Sequence, residues 1–170
     1  APIRAIVDRA AEVGARVLVD VTQGTPFVPL GDLVDRIDYL VCSGYKHLLC
    51  PRGVAFMALR GDHVGRVAPI LANWRAADRP YGRFFGGGLT LAPDAAMYDV
   101  SLAWFPWLGA AASLELLVRW QAAGALEEPP RLARDLADGH GLPWGGSSLV
   151  CLPIDDADRA RARFRVCAGG

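Results

Sequence analysis

The chain lacks an excess of charge of either sign. Its 18 Lys and Arg residues balance 18 Asp and Glu, so nothing draws it electrostatically to nucleic acid or to an anionic membrane surface. No apolar run approaches the ~20 residues of a membrane span. The opening Ala1-Pro2-Ile3-Arg4 lacks the basic-then-apolar pattern of a secretory leader. Cysteine is scarce, at four residues in 170, which excludes a disulfide scaffold. Cys42 and Cys151 fall in apolar segments expected to be strands. These absences point to a reducing, cytoplasmic setting. Internal repeats and low-complexity tracts are also missing. What is present is apolar residues, 52% of the chain, enough for a globular unit with its own core.

The apolar spacing alternates between helix and strand. Ile3, Ile6, Val7, Ala10 and Val13 repeat at helical intervals, with Pro2 near the first turn and Gly14 placed as a C-cap. Residues 17–19 read as a buried strand, residues 30–34 as a helical turn, and residues 39–42 and 54–59 as two further strands. Residues 65–94 are rich in Gly, Pro and Arg and have little periodicity. A loop of that length in a compact domain is usually functional or interfacial. Residues 103–123 form an apolar helix with Pro106 in its first turn, where a helix tolerates it. Pro129-Pro130 reads as a hinge, residues 132–136 as a helix, and residues 148–154 as a strand. Asp155 is placed as the cap of a short helix, and residues 164–167 as a last short strand. Helices interleaved with strands predict an α/β fold with a mostly parallel, three-layer sheet. The expected division is a larger domain over residues 1–123 and part of a smaller α+β domain over residues 124–170.

The chemistry concentrates at two strand ends. The first strand runs into Asp20, with Thr22 and Gln23 close behind. The next leads into Ser43-Gly44-Tyr45-Lys46. A lysine just past a buried strand is costly without a partner or a role. Parallel strands gather their carboxyl ends at one edge, where ligands bind. Asp20, Gln23 and Lys46 are therefore expected in one cleft. A carboxylate, an amide and an amine suit pyridoxal 5'-phosphate, whose aldehyde bonds a lysine and whose ring nitrogen pairs with a carboxylate.

Asp20-Val21-Thr22-Gln23, Ser43-Gly44-Tyr45-Lys46 and Pro51-Arg52-Gly53 together resemble the class V aminotransferase family of fold-type I pyridoxal-phosphate enzymes. The tyrosine before the lysine is similar to the kynureninase-like branch. The tract Leu71-Ala72-Asn73-Trp74 through Asp99-Val100-Ser101 to Trp104 is similar to actinobacterial lyases of this group. The resemblance implies that Lys46 is catalytic and carries the cofactor. It places Asp20 on the ring nitrogen, Gln23 on the ring hydroxyl, and Ser43 and Tyr45 on the phosphate. It also implies a homodimer with shared active sites, in which Trp74 and Ser101 reach the partner's phosphate. Leu102 stands where kynureninases carry Asn, so one such donor is missing. Family members run to about twice this length or more, so the chain is expected to be the middle of a longer enzyme and inactive alone.

Other residues fit other chemistries less well. Cys42, His47 and Cys50 match no usual zinc spacing, so no metal is expected. Gly86-Gly87-Gly88 lacks the strand and helix of a phosphate loop. Cys167, expected in a strand, does not suit the mobile loop of a desulfurase nucleophile. The implied function is a transformation of an amino acid or amine, with aminotransferase as the default. The alternatives are a C–S or C–C lyase, kynureninase-like or of the sulfoxide-lyase kind in ergothioneine synthesis, and a truncated, non-catalytic relative.

Overall fold

The computed structural model describes residues 1–82, 84 and 88–153. The chain divides into two units, Ala1–Glu127 and Glu128–Gly170. In the first, helix α1 spans Ile3–Val13 and closes on Gly14, whose φ of +66° is the left-handed geometry a C-cap requires. Strand β1 covers Leu18–Asp20, β2 covers Tyr39–Ser43 and β3 covers Ala55–Leu59. Helix α2 runs over Trp104–Ala122.

The sheet is ordered β1-β2-β3. β1 and β2 pair in parallel, with Val19 opposite Leu40. β2 and β3 pair antiparallel, with Val41 opposite Met57. The α/β class is as expected, but these three strands form a mixed sheet rather than a mostly parallel one. The reason is the connection: residues 44–54 are too few for the crossover that a parallel neighbour needs.

The register fixes two faces. Val19, Leu40 and Cys42 turn toward a core that includes Val21, Leu48, Cys50, Val54, Ala110 and Leu117. Val7, Val17, Leu33 and Ile37 form a second cluster under α1. Leu18, Asp20, Val41 and Met57 belong to the opposite face, where Leu18 is 61% exposed.

A buried polar pin holds the far edge of this sheet. Asp38, just ahead of β2, is only 8% exposed. Its Oδ2 accepts from Val17 N–H at 2.7 Å. Its Oδ1 stands 3.3 Å from His63 Nε2 and 3.6 Å from Arg60 Nη1. The His63 ring in turn packs on Tyr39 with centroids 5.3 Å apart.

Residues 65–94 carry short turns at Trp74–Ala76 and Pro80–Gly82. A bridge between Ala77 and Leu91 fastens them, with Ala76 and Ala77 buried. The loop is therefore better packed than its composition suggests. In the second unit, α3 covers Glu128–Gly139. Pro129 and Pro130 lie in its first turn, where they cost no helical hydrogen bond, rather than in a hinge. Residues 148–153 are irregular, and Cys151 is exposed instead of sitting in a strand. No neighbouring strand among the described residues pairs with them. Phe85, Gly86, Gly87, Asp155, the strand expected at 164–167 and Cys167 lie outside the described residues.

Candidate active site

The parallel pairing of β1 and β2 brings Asp20 and Ser43 to the same sheet edge. The last backbone rung there runs from Val21 N–H to Val41 O at 2.9 Å. The chain then turns, and Gly24 and Thr25 N–H both donate back to Val21 O. Ser43 N–H is left without a backbone acceptor, and Thr22 Oγ1 takes that place at 2.9 Å. Thr22 N–H donates to Asp20 Oδ1 at 2.8 Å. Through its hydroxyl and its backbone N–H, Thr22 holds the exposed Asp20 carboxyl below its ordinary range. Asp20, Thr22 and Ser43 line a cavity of about 310 Å³ whose walls include Val41 and Met57.

Lys46 lies in the turn that follows. Leu49 N–H donates to Lys46 O at 3.1 Å, and Cys50 N–H to Gly44 O at 3.0 Å. Leu49 takes a φ of +57°, a conformation that costs a non-glycine residue of order 1–3 kcal/mol. The Ser113 hydroxyl of α2 holds this turn by donating to Leu49 O at 2.8 Å. Gly44 is required by close approach: a Cβ there would stand 2.9 Å from Cys50 Cβ. Lys46 Nζ sits 4.9 Å above the Tyr45 ring, and the Arg52 guanidinium 4.6 Å from the same ring.

His47, beside Lys46, meets the Phe27 ring edge-on at 5.2 Å. Its Nε2 is buried with no hydrogen-bond partner among the described residues. Burial, and then the Lys46 charge, push its pKa down. Burial pushes the thiols of Cys42 and Cys50 up.

The remaining residues expected at the site are spread out. Gln23 is exposed on the turn after Asp20. Trp74 is half-buried among its own loop's aromatics, 4.9 Å from Phe84 and 6.0 Å from Tyr81, with Arg75 over its ring. Ser101 lines a larger cavity of about 700 Å³. That cavity shares Ala55, Phe56 and Met57 with the one holding Asp20. The structure thus brings Asp20, Thr22 and Ser43 together; Lys46 follows Ser43 in the next turn, neither it nor Gln23 lines the cavity that holds Asp20, and Trp74 belongs to a separate cluster. Among the described residues no group of three His, Cys, Asp or Glu could hold a metal ion, and no helix is long and apolar enough to cross a membrane.

Two signals in the sequence carry more than their motifs. Lys46 is the only lysine in a chain whose other basic side chains of this kind are all arginine. Thr22 takes part in both hydrogen bonds that order the strand edge.

No family model matches the chain. It is similar to a probable cysteine desulfurase of Streptomyces coelicolor, 35% identical over 73 residues, 42% of this chain and 17% of that one. Probable cysteine desulfurases of Synechocystis sp. and Aeropyrum pernix are each 32% identical over 91 residues, 54% of this chain and 18% and 21% of theirs. The chain spans about a fifth of the length of these relatives. Among solved structures it is similar to the cysteine desulfurase of Thermococcus onnurineus NA1, with a TM-score of 0.63 at 19% identity. A cysteine desulfurase of Escherichia coli gives 0.62 at 20%. Each match covers 84% of this chain and 36% of the other. The fold is therefore part of the fold-type I α/β architecture of these proteins.

Proposed function

We propose that the chain carries the cofactor-holding centre of a pyridoxal-phosphate enzyme acting on an amino acid, with C–S bond cleavage as its reaction class. The observation that supports this best is the shared strand edge. An ionised Asp20 ends β1 and the chain's only lysine follows the parallel β2, the two strand ends tied by Thr22 and Ser43. The donor set fits the group. A carboxylate held in its charged form by Thr22, whose N–H donates to it, suits a pyridinium nitrogen, and its cavity has the apolar walls a ring needs.

When bound, the cofactor supplies an electron sink conjugated to the substrate's α-carbon. Lys46 holds it through its aldehyde and afterwards moves the proton at that carbon. Asp20 keeps the ring nitrogen protonated, and Gln23 binds the ring hydroxyl. Ser43 and Tyr45 donate to the phosphate. Cys42 and Cys50 are unsuited as nucleophiles, since burial disfavours their thiolates. The names of the relatives favour C–S cleavage over transamination. The assembly we propose is a homodimer. The loop that carries Trp74 exposes Ile70, Leu71 and Tyr81 for a partner, and Trp74 and Ser101 serve the partner's phosphate.

The test is covalent labelling. Protein mixed with pyridoxal 5'-phosphate is expected to develop an absorption band that borohydride abolishes, leaving a pyridoxyl group on the peptide with Lys46. With cysteine and a thiol reductant, alanine and sulfide as products would mark C–S cleavage. Formation of a keto acid with pyridoxamine phosphate instead would mark a transaminase. No adduct on Lys46 would falsify the cofactor assignment.

A further inference from the structure

We propose that Thr22 is a positioning residue that fixes the Asp20 carboxylate and ties it to the strand leading into Lys46. Its role toward the cofactor rests on the reading of Asp20 given above. The geometry is compact. Thr22 N–H donates to Asp20 Oδ1 at 2.8 Å, while Thr22 Oγ1 accepts from Ser43 N–H at 2.9 Å. A threonine hydroxyl has one proton and two lone pairs. Accepting from Ser43 leaves the hydroxyl proton free, and the Thr22 side chain helps to hold the Asp20 carboxyl below its ordinary range. Thr22 thereby replaces the backbone carbonyl that β1 no longer offers beyond Val21.

Two consequences follow. The carboxylate is oriented before any ligand arrives, so less side-chain freedom is lost on binding. The spacing between Asp20 and the turn that begins at Gly44 is also set by a side chain rather than by the ladder. The core side offers no substitute, because Cys42, the neighbour of Ser43, turns into the interior at 2% exposure. An apolar residue of the same shape at position 22 would leave Ser43 N–H without an acceptor and would remove the hydroxyl's share in keeping the carboxylate charged.

The experiment compares Thr22→Val, which keeps the shape and removes the hydroxyl, with Thr22→Ser, which restores it. In the cofactor-free protein, carbon NMR of the aspartate carboxyls is expected to show Asp20 titrating at higher pH in Thr22→Val and returning toward wild type in Thr22→Ser. Affinity for pyridoxal 5'-phosphate is expected to fall about 10-fold in Thr22→Val, the scale of one hydrogen bond to a charged group, and to recover in Thr22→Ser. A purely structural role would lower the melting temperature yet leave Asp20's titration unmoved, and that result would overturn the proposal. Should Thr22→Val not fold, Thr22→Ala gives the same contrast. A wild-type protein that binds no pyridoxal phosphate would overturn the cofactor reading alone, because the cofactor-free titration still decides the role of Thr22.

Discussion

Asp20 and Asp38 sit at opposite ends of the same pair of parallel strands, and they differ in almost every physical respect. Asp38 is nearly inaccessible, and its oxygens are taken by Val17 N–H, His63 and Arg60. Asp20 is exposed, borders a cavity, and has only Thr22 as partner among the described residues. A buried carboxylate survives in a protein only when internal donors replace water. Once they do, it has little capacity left for a ligand. Asp38 is therefore a fastening of the fold. Asp20 keeps lone pairs directed at solvent and is held ionised without being used up. Partner count and accessibility, more than residue type, separate the acid that fastens the fold from the acid left available to a ligand.

Substitution at each end breaks this comparison in a different observable. Asp20→Ala is expected to weaken pyridoxal 5'-phosphate binding about 10²-fold, the upper scale of a hydrogen bond to a charged group. Its stability should stay within about 0.5 kcal/mol of wild type, as for most exposed sites. Cofactor titration alongside urea unfolding reads both. A large loss of stability with cofactor affinity intact would reverse the roles assigned to the two acids.

Asp38→Ala should act the other way. It strands a buried N–H of Val17 and removes one of the two carboxylates beside His63 and Arg60, Asp62 being the other. The expected loss is about 2–3 kcal/mol, toward the lower end because Arg60 is partly solvated and its share is screened. Affinity for pyridoxal phosphate, measured well below the unfolding transition, should change less than about twofold. An unchanged urea midpoint would show that the buried cluster contributes nothing net.

The contrast also marks what the sequence can reveal. α1 is legible within a residue or two from its helical apolar spacing and the Gly14 cap, and β1, β2, β3 and α2 from apolar runs of strand or helix length that end at turns and breakers. Asp20 and Lys46 stand out because strand ends in parallel pairs share an edge. Asp38 does not, since its donors come from 21 and 25 residues away in opposite directions and no local pattern announces that meeting. Thr22 is visible only as a residue near Gln23: its value lies in a contact to Ser43 across the sheet. The expected strand at 148–154 fails for a related reason. Apolar residues such as Leu149, Val150 and Leu152 satisfy the pattern, but a strand also needs a neighbour.

The smallest expected effect distinguishes the two edges through their histidines. His63 stands beside the Asp38 carboxylate, whereas His47 stands beside the Lys46 amine and against the Phe27 ring. Burial and then the Lys46 charge hold the pKa of His47 below its ordinary value. The unfolded chain, with no such neighbours, takes up the proton near pH 6.5. Between that pH and the lower folded value, the unfolded state binds more protons than the folded state. Stability contributed by neutral His47 is therefore complete above about pH 6.5 and declines as the pH falls through that window. Below the folded value both states are protonated, and the decline from this residue stops. His47→Gln keeps a neutral polar side chain at every pH and should flatten this part of the profile. Urea unfolding at intervals between about pH 7.5 and pH 5 checks it: the wild-type midpoint should drop more steeply than the variant's. Parallel profiles would mean that the contact with Lys46 and Phe27 does not set the protonation of His47, and that the turn carrying the lysine is more open to water than the edge pinned by Asp38.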